Sequence, residues 1–292
     1  MSKVVCIGEV LWDSLPHGKF LGGAPLNVAI NLNHLGVDSS IISAVGEDDL
    51  GAQALSEIKE RGLDTNHIQK NKFETGLVEV ELSEKGIPSY VIHEQRAWDF
   101  ISATESARAL VTTADFVVFG SLAFRNNESA TAIKAMLKGA KGERILDVNF
   151  RKPFYSKILI EELLGYTDIL KVNDEEIEEM AEWFGLSSDY QQAIPKLCYM
   201  YGIDRAIITL GEAGSSIYFE GEFVHHPRFN VEVKDTVGAG DAFLSGAIYS
   251  MIQQKTSKET LRFANAMGAF VAGSDGATPS LNYQTVYNTF LG

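Results

Sequence analysis

Positive charge is scarce in this 292-residue sequence: 25 lysines and arginines face 39 aspartates and glutamates, a formal net charge of −14. That balance opposes the field a nucleic-acid or anionic-membrane binder presents, so neither partner is expected, and an anionic ligand would need local positive potential. Cysteine is also scarce. Cys6 in VVCIG and Cys198 in KLCYM sit in apolar surroundings with no second pair or histidine cluster, which excludes a thiolate metal centre and reads as two reduced core residues. No run approaches about 18 uninterrupted apolar residues, so no span is expected. The start, MSKVVCIGEVLWD, reaches Glu9 and Asp13 too early for a signal segment, and the cytoplasm is the expected location. With 7 prolines, no repeat and no low-complexity tract, the chain reads as one globular unit over residues 1–292. Two nucleotide signatures are missing as well. There is no GxxxxGK[ST], and GEVLWD after the first strand is not the GxGxxG of a dinucleotide-binding oxidoreductase.

What is present is alternation. Short β-branched runs at 4–8, 39–46, 116–120, 144–150, 168–173 and 205–211 read as buried parallel strands. Helical spacing fills 24–36, 49–62, 128–140 and 175–185 between them. Strand then helix, repeated, implies right-handed crossovers and an α/β/α sandwich. Two segments break the rhythm. Residues 75–94 alternate apolar and polar about Glu84-Lys85-Gly86, and 9–21 do so about Pro16-His17-Gly18, so the two are expected to form a small sheet apart from the main one. An apolar face of that sheet with Leu11, Leu77 and Val91 would either offer a homodimer contact or close as a lid over a bound substrate.

The strongest chemical signal is DTVGAGDAFLSGAI at 235–248. Gly238, Ala239 and Gly240 lead into an apolar helix, so small residues and unpaired amides meet at a helix amino terminus, where an anion such as a phosphate fits. Asp241 follows at once, and a carboxylate beside an anion nest has a use in taking a proton from an attacking hydroxyl. The same residues also read as a tight turn with a capping aspartate. The second signal is GGAPLNVA at 22–29: Gly22 and Gly23 open a helix bearing Asn27, which with Asp13 could clasp adjacent sugar hydroxyls, or simply start a helix.

Together DTVGAGDAF and GGAPLNVA, in that spacing and followed by Gly36 and Gly46, resemble the two signatures of the ribokinase-like (PfkB) carbohydrate kinases. The resemblance implies a Rossmann-type α/β domain with a β-sheet lid, ATP with Mg2+ as donor, and a small sugar as acceptor beneath the lid. It assigns Asp241 as base, the Gly238 to Asp241 amides as anion hole, and Asp13, Gly23 and Asn27 as sugar contacts. Asp147, Asn149 and Arg151 in DVNFR resemble a strand-end motif near the phosphates, with Arg151 as the transition-state cation. Asn173 and Glu176 resemble the N-x-x-E element that organises the water shell of Mg2+. Thr209, Gly211 and Gly214 would border the nucleotide, with Asn265 and the 273–280 loop at adenine and ribose. Asp235, Val237 and that loop would hold a monovalent cation such as K+.

Among family members the chain looks most like fructokinases, through GEVLWD, Ala24-Pro25 after the glycine pair, and RAWDFI at 96–101. Arg96 and Trp98 are thereby expected at the sugar, Trp98 as an apolar wall. Val148 departs from the proline of many relatives. Kinases for ribose, a ketodeoxy sugar acid or a nucleoside stay open on the same pattern, as does a non-catalytic sugar sensor, although the intact Asp241 and nest argue against a sensor.

Overall fold

The computed structural model describes residues 2–15, 18–82 and 88–292, and within them two sheets. The chain enters through β1 (Lys3–Ile7), leaves for β2 (Leu11–Leu15) and β3 (Gly18–Gly22), and returns as α1 (Ala24–His34), β4 (Asp38–Gly46), α2 (Asp49–Glu60) and β5 (Ile68–Asn71). A second excursion, β6 (Gly76–Leu82) and β7 (Pro88–Ile92), precedes α3 (Glu105–Thr113), β8 (Phe116–Gly120), α4 (Asn127–Gly139) and β9 (Glu143–Asp147). Next come α5 (Lys157–Leu164), β10 (Ile169–Asn173), α6 (Asp174–Phe184), α7 (Tyr190–Tyr201) and β11 (Arg205–Thr209). The hairpin β12 (Ser215–Phe219) and β13 (Glu222–His226) follows, and then α8 (Ala239–Ile252), α9 (Ser257–Ala272) and α10 (Tyr283–Phe290).

Among the described residues the main sheet runs β13-β12-β11-β10-β9-β8-β1-β4-β5. It is parallel from β11 to β5, and β12 and β13 extend it antiparallel. Strands buried on both faces send alternate side chains to opposite layers. Val5 and Ile7 thus join one core with the residues of α3 to α7, while Val4 and Cys6 join the other with α1, α2, α8 and α9. Both cysteines are buried and free. The chain leaves β1 toward β4 on one side and comes back to β8 on the other, so β1 marks a topological switch point, where open α/β sheets hold ligands at the strand carboxyl ends.

The two alternating segments do pair. The small sheet runs β3-β2-β6-β7, with β2 and β6 parallel across its middle. The turn residues Pro16, His17, Glu84, Lys85 and Gly86 lie outside the described residues. One expectation fails on register: Trp12, Leu21 and Leu77 share one face, whereas Leu11 falls on the opposite face beside Asp13 and Val78. Leu11, Leu77 and Val91 therefore make no single apolar face. Leu11 is buried, and Trp12 and Leu21 belong to the core shared with α1. No helix among the described residues is long and apolar enough to cross a membrane.

Candidate active site

α8 is buried on nearly every side and packs between α1 and α9, a rigid mount for whatever stands at its amino end. Gly238 caps that end at φ 76°, and a Cβ there would lie 2.5 Å from the Ala277 Cβ, so conformation and contact with the 273–280 loop both require glycine. Gly240 differs. It is already helical, and an added Cβ would meet only the Lys171 ammonium, at 3.7 Å. Ala239, Gly240 and Asp241 form the first turn, whose amides have no partner within the helix.

Asp241 is held from the other end of the chain. The Asn27 amide nitrogen donates to its Oδ2 at 2.8 Å, joining α1 to α8, and the Asn27 Oδ1 is buried without a partner. α1 is aimed by the glycine pair. Gly23, at φ 120°, has no room for a Cβ against the Glu9 carbonyl, and a Cβ on Gly22 would lie 2.6 Å from the Asp13 carboxylate. Glu9 caps the helix by accepting from the Ala24 amide at 3.2 Å. Asp13, on the lid strand β2, and Asp241 both feel the exposed Arg151 guanidinium. Burial pushes Asp13 up to about 6 against that pull. Asp241 also rises to about 6, through burial first and repulsion from Asp147 second, while Asn27, Lys171 and Arg151 hold it down. A carboxylate poised there can exchange a proton with a substrate hydroxyl.

The strand ends below complete the site. Asp147 closes β9 and pairs through Oδ1 with the buried Lys171 of β10 at 2.9 Å, and its Oδ2 is buried without a partner. Asn173 and Glu176 cap α6 reciprocally: the Asn173 Oδ1 accepts from the Glu176 amide at 2.7 Å, and the Glu176 Oε2 accepts from the Asn173 amide at 2.8 Å. The other oxygen of Glu176 accepts from the Phe150 amide at 3.0 Å. Each oxygen of Glu176 thus accepts one backbone amide, which fixes the carboxylate at the start of α6. Among the described residues no group of three or more His, Cys, Asp or Glu is arranged to hold a metal by itself.

The model of the pfkB family carbohydrate kinases matches residues 16–283. The chain belongs to the pfkB family of carbohydrate kinases. It is 31% identical to a putative sugar kinase, PH1459, of Pyrococcus horikoshii, covering 94% of this chain and 91% of that protein. The crystal structure of PH1459 in complex with ATP superposes with a TM-score of 0.82 at 29% identity, over 94% of this chain and 95% of the other. The fructokinase of Salmonella typhimurium is 27% identical over 98% of each chain. An ATP-dependent 6-phosphofructokinase of Thermoanaerobacterium thermosaccharolyticum is 27% identical over 95% of this chain and 90% of the relative.

Three expected site residues of this pfkB kinase take other roles. Trp98 has 0% exposure, and the Arg125 guanidinium lies 3.9 Å from its ring centroid, so it is a core residue with no face to offer a sugar. Arg96 pairs with Glu74, and its backbone amide donates to Asp99. Asn265 accepts from the Ser215 hydroxyl at 3.0 Å and donates toward the carbonyls of His226 and Pro227, so its amide staples α9 to β12 and the end of β13. Thr209 ends β11, Gly211 follows at φ 51°, and Gly214 at φ 95° turns the chain where a Cβ would strike the His226 carbonyl. Asp235 accepts from the Val237 amide at 2.9 Å, and Val237 is exposed. Two residues of the site escaped the sequence reading. Glu9, raised to about 7 chiefly by burial, has an orphaned Oε2, and Lys171 is a buried cation. The signal for both was a charge inside an otherwise apolar run.

Proposed function

We propose that this pfkB kinase transfers the γ-phosphoryl group of ATP to the hydroxymethyl group of fructose. The observation that carries the reading is the Asn27 to Asp241 bond at the amino end of α8, which orients a proton acceptor at a helix amino terminus. In the reaction the sugar oxygen forms the new bond to the γ-phosphorus, the bond to the bridging oxygen of ADP breaks, and the sugar's proton passes to Asp241. Asp13 would accept from sugar hydroxyls under the lid, with the flat floor of Gly22 and Gly23 letting the ring approach. The first-turn amides of α8 and the Arg151 guanidinium would meet the charge that develops on the transferred group. When bound with ATP, Mg2+ supplies further neutralisation of the phosphates, and Glu176 would order its water shell. Asp235, Val237 and the 273–280 loop would hold K+.

Fructose is favoured because several relatives bear the name fructokinase. The 6-phosphofructokinase relative raises a phosphorylated acceptor as second reading. Such an acceptor asks for cations near the lid; among the described residues Arg96 pairs with Glu74, while Lys19 of β3 and Arg151, which acts on Asp13, are exposed, so this reading stays in the acceptor panel. A coupled assay of ADP release over fructose, ribose, ketodeoxygluconate and fructose 6-phosphate tests the assignment. The highest kcat/KM should fall on fructose, and a clear preference for any other acceptor would replace it.

A further inference from the structure

Charge around the proton acceptor is out of balance. Glu9, Asp147, Glu176 and Asp241 crowd the strand ends, and the buried cation among them is Lys171, in the middle of the apolar run ILKVN. Lys171, in the middle of β10, and Asp147, the last residue of β9, are direct cross-strand neighbours. The side chain is 8% exposed, and its ammonium bonds to Asp147 at 2.9 Å. That uses one of three donors. The same nitrogen lies 3.7 Å from where a Gly240 Cβ would stand, directly behind the turn that ends in Asp241. A lysine so deeply buried stays charged only with close acids, and Asp147 of β9, Glu176 of α6 and Asp241 of α8 supply them.

We propose that Lys171 is a positioning residue for phosphoryl transfer: its ammonium fixes Asp147 and holds Asp241 in the carboxylate form that takes the acceptor proton. Asp241 is faced by Asp147 from β9, Lys171 from β10, Arg151 from the loop after β9 and Asn27 from α1, and its charge is felt in turn by Glu9 and Cys6. Of these, Arg151 is exposed and its field is screened by water, whereas Lys171 is sealed in. The sign follows directly. Removing Lys171 removes an attraction that favours ionised Asp241, so the base would deprotonate only at higher pH. Removing Asp147 removes a repulsion and acts the opposite way.

The inference rests on Asp241 being the base, and the experiment separates the two ideas. The full-length chain is assayed as wild type, Lys171→Met, Asp147→Asn and Asp241→Asn, measuring kcat and sugar KM from pH 5 to 9 with Mg-ATP and the best acceptor of the panel. In Lys171→Met the acid limb of kcat should move up by about one pH unit, with kcat down about ten-fold at pH 5 but only about two-fold at pH 7, while sugar KM changes less than about three-fold. In Asp147→Asn the limb should move down. A purely structural lysine would lower kcat equally at all pH values, so an unmoved limb in Lys171→Met overturns the proposal. If Lys171→Met does not fold by circular dichroism, Lys171→Gln, polar but uncharged, decides instead, and a limb that stays or falls there overturns it equally. Full activity in Asp241→Asn would instead remove the base itself.

Discussion

Thr75 grips Asp48 with both of its donors: the hydroxyl gives to Oδ1 at 2.6 Å and the backbone amide to Oδ2 at 2.8 Å. Asp48 also caps α2 through the Gly51 amide at 2.7 Å, so the root of the lid strand β6 is tied to the start of a main-domain helix. These bonds, with some help from Arg96, hold the Asp48 carboxyl below its usual range despite burial. A depressed carboxylate contributes stability above its unfolded value and loses it as pH falls through the folded one. Asp48→Ala should therefore lower stability by about 1–3 kcal/mol at neutral pH and by less in acid, read by urea unfolding at two pH values. An equal loss at both would separate the grip from the charge.

Asp241→Asn should bind sugar and ATP nearly normally and lose about 10²–10⁴-fold in kcat, the usual worth of a positioned base. The wild-type kcat should fall as pH drops through about 6, where the raised Asp241 carboxyl protonates. Asn27→Ala removes a hydrogen bond that favours the carboxylate, so its acid limb should lie at higher pH than that of the wild type. Retention of more than about a tenth of the activity in Asp241→Asn would end its assignment as base.

The two glycines of the nest should respond in opposite ways. Gly238→Ala must adopt a left-handed φ and collide with Ala277, and a loss of about 2 kcal/mol or more in chemical denaturation is expected. Gly240→Ala fits its helix, and melting should be unchanged or slightly higher. Its methyl group would meet only the Lys171 ammonium, at 3.7 Å, so turnover should drop, with the fold intact, if that ammonium supports the site, and full turnover would argue that it does not.

Arg125→Met should cost more than any surface change. The guanidinium makes a two-pronged pair with Asp99, at 2.7 and 2.8 Å, donates to the His93 carbonyl at the foot of β7, and covers the Trp98 ring. Breaking a buried pair and leaving Asp99 alone costs about 3–5 kcal/mol. Arg125→Met with Asp99→Asn should recover part of it in thermal melts, and no recovery would assign the loss to stacking instead.

The layered fold was legible because fully buried strands announce themselves: six apolar runs correspond to β1, β4, β8, β9, β10 and β11 within two or three residues. The lid was legible because half-exposed strands alternate. The β12 and β13 hairpin went unread, although Glu220 and Gly221, at φ 51° and 85°, form the two-residue positive-φ turn that such strands favour. Site residues carried by glycine turns and helix starts were legible, since those patterns are local. Lys171 and Glu9 were not, because only the packing of distant elements decides that a charge in a strand run is buried. Trp98 erred in the converse way, as an aromatic residue near the site is more often core than wall.

The partners Asn27 and Asp241 stand 214 residues apart. Bringing such ends together is an entropic cost that grows with loop length and is met only when both cores have closed. During synthesis the lid strands, the glycine pair and the switch-point strands all emerge before the residue that removes the proton. Because α1 and the lid strands share a core with α8 and α9, a chain interrupted before α8 would lack Asp241 and also the packing that shapes the surface facing it.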